Sequence, residues 1–332
     1  MEINIDLYSD FIKLNMEYLS NLRKQGFKFE KYAEWKERKG NSITNILSIN
    51  NPNVQESDLI KSYEEDMVYA IANWHERIPE SIPRKIYKCS DFLCPDHYKS
   101  GLALLEKGIK NGYDIFPFLS RQIYEINKSD KMMFILGVVH FHLGTKQDEK
   151  KTLLVEGTDD ILYAFIQKNN CYFITIDKHG RWYDEELLRK LNVDFPEVLK
   201  PWKLNGVTIP SFSEKDRENL HDKNVMSLIS INNEAYVPPG WGVSTAGTSI
   251  NARFNLTRYI RYLDNLEKYL TSLLEEQQKE LEIDFSRKIY RMDLTLISTD
   301  PIKILDKENN LLVNVTGFDD DKLSIHIINN PS

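Results

Sequence analysis

Apolar positions recur at helical spacing twice in the first quarter of the chain. Over Asp6–Lys24 the side formed by Tyr8, Phe11, Ile12, Asn15, Tyr18, Leu19 and Leu22 predicts an amphipathic helix. A second runs from about Ser57 to Arg77 on Ile60, Tyr63, Met67, Ile71 and Trp74. Between them, Phe27–Lys39 is more charged, and the Asn- and Ser-rich tract Gly40–Glu56 reads as a connecting loop. Pro79 and Pro83 stop the second helix, because proline lacks the amide donor and restricts the residue before it. A third helix is expected over Asp96–Lys110, ending before Asn111-Gly112.

The pattern then changes period. Met132–Leu143, Ile161–Ile166 and Cys171–Asp177 read as three consecutive strands, and sequence neighbours usually pair. The first and third are therefore expected to run parallel, either side of an antiparallel second. Asp184–Leu191 is a short helix with acids in its first turn and Arg189 and Lys190 in its last. Pro196 and Pro201-Trp202 open an irregular stretch to Asn224, after which Val225–Ile231 is a strand and Leu256–Leu281 a long leucine-faced helix. Ile289–Ser298, Ile302–Leu305, Leu311–Val315 and Leu323–Ile328 complete a C-terminal β-meander. The fold class expected is α+β: an N-terminal helical layer on an antiparallel or mixed sheet over residues 1–200, an irregular connection over 201–224, and a C-terminal α+β domain over 225–332.

With 332 residues the chain can bury a large core, and 11% aromatic residues argue for folding over disorder. A net charge of −7 excludes broad, nonspecific duplex binding while leaving room for a local basic site. No segment is apolar enough to span a bilayer, and three scattered cysteines do not make a disulfide framework. A cytoplasmic protein with no membrane partner is expected.

The chemistry concentrates where the strands end. His140 and His142 alternate with Phe141 and Leu143, so both imidazoles point to one face, and Asp177 and His179 share a face if the third strand continues. In the expected order both polar ends lie at one sheet edge, ~10 Å apart for two strand spacings, with Thr158-Asp159-Asp160 entering between them. Cys89, Cys94 and His97 lack a second ligand pair at a matching spacing, so buried thiols are favoured there over zinc. The loop from Gly240 to Gly247 lacks the lysine and the directly following helix of a phosphate cradle, and reads as a structural turn.

Metal-independent RNA cleavage needs a base for a 2′-hydroxyl, an acid for the leaving oxygen, and a cation at the phosphate. His140 or His142 as base, His179 as acid, and Arg181 with Lys178 on the phosphate make a sufficient set. Thr158, Trp182 and Tyr183 are the substrate-binding candidates, the two aromatics by stacking on exposed bases. The strand ending His140-Phe-His-Leu143, followed by Thr158-Asp-Asp-Ile-Leu-Tyr-Ala-Phe165 and Tyr172-Phe-Ile-Thr-Ile176, resembles the sheet core of RelE-type ribonuclease toxins over 131–182. It is also similar to uncharacterised proteins associated with anti-phage defence. The resemblance implies an RNA-cleaving toxin or defence effector acting on RNA or ribosome-associated RNA, without a cofactor.

Two further readings stand beside this one. His140, His142, Asp177 and His179 form a ligand set that zinc, manganese or iron would accept in a metal-dependent hydrolase, with Asp159 or Asp160 in support. Alternatively the cluster is noncatalytic and the chain is a binding or regulatory module of a defence or toxin system. In that reading Leu256–Leu281 engages a protein partner or a second copy of the chain.

Overall fold

In a computed structural model of the protein, residues 2–181, 184–210, 212–276, 291–319 and 322–329 are described. β1 (Glu2–Ile5) leads into α1 (Leu7–Lys24), which starts where the Asp6 carboxylate accepts the Ser9 amide at 2.9 Å. α2 (Tyr32–Leu47) takes residues 40–47 of the loop expected over 40–56. Gly40, Asn41 and Asn45 are poor helix formers, but Trp35 is completely buried and its indole N–H donates to Asp66 at 2.6 Å. Tertiary burial outweighs intrinsic propensity here. α3 (Glu56–His75) follows close to its expected bounds.

β2 (Lys85–Lys88) precedes α4 (Lys99–Asn111), itself entered through a short 3₁₀ turn at Asp96–Tyr98. The largest correction to the expected elements comes next. The apolar run Met132–Leu143 is not one strand but α5 (Lys131–Leu136) followed by β3 (Val138–Phe141). Asp130 caps the helix by accepting the Met133 amide at 3.0 Å, and Gly137, at φ 68°, ends it in the left-handed conformation. A continuous apolar run carries no period to separate helix from strand, and only these two caps do so.

β4 (Asp160–Ile166), β5 (Asn170–Lys178) and α6 (Glu186–Asp194) follow the expected pattern closely, whereas α7 (Pro196–Leu199) is a helical turn where an irregular stretch is expected. The stretch 201–224 is not irregular throughout, since it contains β6 (Lys203–Thr208) and α8 (Glu214–Asp222). β7 (Ile229–Ile231), shorter than the expected 225–231 strand, pairs with β8 (Glu234–Tyr236). α9 (Ile250–Glu276), β9 (Arg291–Thr299), β10 (Ile302–Asp306), β11 (Leu311–Asp319) and β12 (Lys322–Asn329) complete the chain. The mixed α+β class is thus observed, with a C-terminal meander and a long helix.

Two compact units emerge, and they draw on the chain differently from the expected 1–200 and 225–332 blocks. One comprises Met1–Gly26, Glu30–Val68 and Asn255–Ser332; the other comprises Phe27–Phe29 and Tyr69–Phe254. The first is built on a sheet ordered β1-β9-β10-β11-β12, in which β1 lies parallel to β9 and the remaining pairs are antiparallel. The leucine seam of α9, Leu256, Leu263, Leu266, Leu270 and Leu274, is buried. Those five side chains are therefore covered by the chain itself. The end of the expected helix, 277–281, lies outside the described residues.

The second unit carries a four-stranded sheet ordered β2-β5-β4-β3 and a smaller one ordered β6-β8-β7. β4 is antiparallel to both β3 and β5, as expected, while β2 adds a parallel edge strand to β5. Ile161, Tyr163, Phe165 and Ile174 share a core with Leu187, Leu188 and Leu191 of α6 and with Ile229 and Ile231 of β7. Each fully buried leucine or isoleucine contributes about 1.5–3 kcal/mol relative to exposure, so this core holds the end of the sheet in place.

Candidate functional site

His140 stands opposite Tyr163 on β4, which stands opposite Thr175 on β5, so the three share one sheet face near its end. His142 and His179 each lie one residue beyond the end of their strand. The three imidazoles converge: ring centroids are 6.3 Å apart for His140 and His142, 6.1 Å for His140 and His179, and 5.2 Å for His142 and His179. The last distance is about half the ~10 Å that separates strands two places apart. Both rings reach inward over Thr158, the residue entering β4.

Thr158 organises this meeting. Its amide donates to Nδ1 of His142 at 2.9 Å, and its carbonyl lies 3.3 Å from Nε2 of His179. Its hydroxyl donates to the Asp160 carbonyl at 2.6 Å and accepts the Leu143 amide at 3.2 Å. Thr158 was expected to bind substrate, but its hydroxyl is engaged inside the protein.

Backbone close approaches build the position. A Cβ on Gly144 would stand 2.3 Å from the Glu156 carbonyl oxygen, so only glycine lets the two ends of the 144–157 loop cross and return Thr158 to His142. On the other side, a Cβ on Gly101 of α4 would stand 1.9 Å from the Leu143 carbonyl oxygen, so the helix backbone rests directly on the end of the His-x-His segment. The loop is pinned from within by Asp148, which is 1% exposed, accepts the Lys150 and Lys151 amides at 2.9 and 2.8 Å, and pairs with Arg121. Burial alone would raise the Asp148 pKa, but Arg121 and the two amides outweigh it and hold the carboxyl below its usual range.

Burial sets the charge of the inner imidazoles. His140 and His142 are each 8% exposed, whereas His179 is exposed. Loss of hydration, with His140 and His179 as neighbours, pushes His142 down to about 4. Burial also lowers His140, against the pull of Asp130 and with further lowering from His179 and Arg77. Both inner rings are therefore neutral at pH 7, and His179 is the imidazole that solvent reaches.

The expected phosphate cations fare differently. Arg181 is clamped between Asp184, with Nε at 2.7 Å, and Asp177, with Nη1 at 2.9 Å. Its burial opposes the charge, yet these two carboxylates hold its pKa above the usual range. Lys178 is exposed at the end of β5, and its carbonyl accepts the Tyr163 hydroxyl at 2.8 Å. Asp177 also accepts the Lys178 amide at 2.8 Å, so the carboxylate in the alternative ligand set is already bound twice. Asp159 is exposed, and the Asp160 amide donates to the Tyr98 hydroxyl at 3.3 Å. Trp182 and Tyr183 lie outside the described residues.

Among the described residues, no group of three or more His, Cys, Asp and Glu side chains is disposed to hold one metal ion. Cys89 is buried, its thiol pushed up to about 12 first by burial and then by Asp194, while His97 packs on Tyr98 with ring centroids 4.0 Å apart. The loop from Gly240 to Gly247 braces α5: the Gly240 and Gly242 amides donate to the Ile135 and Phe134 carbonyls at 3.3 and 2.6 Å, and Ser129 donates to the Gly247 carbonyl. Its sequence predicts a structural turn here, but a helix does follow directly, because α9 starts at Ile250 rather than Leu256.

Residues that the sequence did not single out include Arg121, Asp148 and Asp130. Asp130 carries a readable signal, a helix-capping carboxylate directly before an apolar run. Arg121 and Asp148 are an ordinary charged pair separated by 27 positions and carry none. Comparison with protein-family models, with curated proteins and with solved structures finds no match to this chain.

Proposed function

We propose that the protein cleaves RNA by histidine-dependent acid–base chemistry. The observation that carries the reading is the convergence of three imidazoles, two buried and neutral and one exposed, at the end of a single sheet. Histidine is the side chain suited to proton transfer near neutral pH, and a pair of inner donors beside an exposed ring serves a reaction in which negative charge builds on a phosphate. The likeness of 131–182 to RelE-type ribonuclease cores supports RNA as the substrate class.

In this reaction the 2′-oxygen bonds to phosphorus, its proton passes to His179, and the bond from phosphorus to the 5′-oxygen breaks. Water protonates the departing oxygen, and the imidazolium returns its proton to solvent. The products are a 2′,3′-cyclic phosphate and a 5′-hydroxyl. His142 donates to the phosphate oxygens, and exposed Lys178 supplies positive charge near the end of β5. Arg181, held by two carboxylates, acts by fixing the turn after β5.

The test is cleavage of single-stranded RNA by the purified full-length protein in excess chelator. Cleavage that persists in chelator and falls by about 100-fold or more in His179→Ala supports the reading. Cleavage unchanged in His179→Ala, or no cleavage by the wild-type protein, removes it.

A further inference from the structure

We propose that Thr158 is a positioning residue that sets the tautomers of two imidazoles at once, making Nδ1 of His179 the proton-accepting atom of the site and Nε2–H of His142 its hydrogen-bond donor. A backbone amide can only donate, so Nδ1 of His142, 2.9 Å from the Thr158 nitrogen, must present a lone pair. The neutral ring then carries its hydrogen on Nε2. A backbone carbonyl can only accept, so Nε2 of His179, 3.3 Å from the Thr158 oxygen, must carry a hydrogen. The lone pair of that ring is on Nδ1. Both assignments follow from partners whose roles are fixed by chemistry, and both partners belong to one residue.

The wiring reverses the roles expected from the sequence. His142 was a candidate base, but its lone pair is occupied by the Thr158 amide. His179, expected as the acid, turns its N–H to the Thr158 carbonyl and so carries its lone pair on Nδ1. Thr158 can hold both because it is itself held, by the Asp160 carbonyl and the Leu143 amide on its hydroxyl. The tautomer assignment stands on this geometry alone, whereas its catalytic consequence rests on the RNA-cleaving reading.

The experiment is long-range ¹H–¹⁵N correlation of the imidazoles in the uniformly ¹⁵N-labelled full chain at pH 7.5. The expected result is a pyridine-type Nδ1 and a pyrrole-type Nε2 for both His142 and His179. A His179 ring protonated on Nδ1, or a His142 ring protonated on Nδ1, overturns the assignment whatever RNA does. Thr158→Val, which removes the hydroxyl's contacts with Asp160, Leu143 and His142 Nδ1, is expected to shift His179 toward a mixture of tautomers and to lower kcat about tenfold with little change in KM. Thr158→Ser is expected to restore both. Thr158→Val spectra identical to wild type would remove Thr158 from the positioning role. If Thr158→Val does not fold, the wild-type spectrum still decides. RNA inert to the wild-type protein would overturn the RNA reading and leave the tautomers standing.

Discussion

Protonating His142 should open the site, and the structure gives the size of the effect. Its pKa is pushed down to about 4 in the folded protein, against roughly 6.5 for an unburied histidine. Because the folded value is the lower one, the unfolded or locally opened state binds the extra proton between these limits. Stability from the neutral ring is therefore complete above about pH 6.5 and is lost as pH falls towards 4. The full difference is about 3 kcal/mol at 1.36 kcal/mol per unit, of which about 2 kcal/mol is lost between pH 7.5 and pH 5. His140 is displaced in the same direction by burial and adds to the trend. The Thr158 amide is the local reporter, since the bond it donates to Nδ1 of His142 cannot survive protonation of that nitrogen. Hydrogen exchange, corrected for the intrinsic pH dependence of the exchange rate, should show its protection falling about 30-fold between pH 7.5 and pH 5. His142→Asn offers the Thr158 amide a carbonyl acceptor that does not titrate, and its corrected protection should fall much less, by only the part that His140 contributes. Equal pH dependence in the two proteins would refute the reasoning.

The supports of the site make further predictions. Gly101→Ala puts a Cβ where the Leu143 carbonyl oxygen now sits, so α4 or the strand end must move; a loss of about 1–3 kcal/mol in urea denaturation is expected, with weaker protection of the Thr158 amide. A variant as stable as wild type would show that the contact yields freely. Asp148→Ala strips two amides and Arg121 of their shared acceptor and should cost roughly 1–3 kcal/mol, measured the same way at pH 7. In the wild type the contribution of this carboxyl should be present above about pH 4 and fade as pH falls through its lowered folded-state value, because the folded form is the weaker proton binder.

Much of the fold is legible in the chain because periodicity reports burial directly. α1, α3 and α9 each carry an apolar stripe most of which is buried, although Tyr18 of α1 and Ile60 of α3, expected on the buried side, are exposed, and β4 and β5 are bounded by polar residues that mark their ends. The convergence of His140, His142 and His179 follows from sequence because neighbouring strands pair, which fixes which ends meet. Continuous apolar runs are different. Lys131–Leu136 is helical only because Asp130 and Gly137 cap it, and α2 persists through Gly40 only because Trp35 is anchored in the core. The proton wiring was equally hidden, since it depends on backbone atoms of Thr158 that any residue other than proline would supply. Its place was readable from the sheet edge, but its role emerges only when the 144–157 loop folds back across Gly144.

The attacking group is the most direct test of the account. RNA carrying a 2′-O-methyl group at the cleaved nucleotide should be inert, and unmodified RNA should yield fragments ending in 2′,3′-cyclic phosphate and beginning with 5′-hydroxyl, in the presence of chelator. Cleavage of the methylated strand, or fragments beginning with 5′-phosphate, would mean that water rather than the 2′-oxygen attacks and would contradict the assignment of His179 as the group that takes its proton.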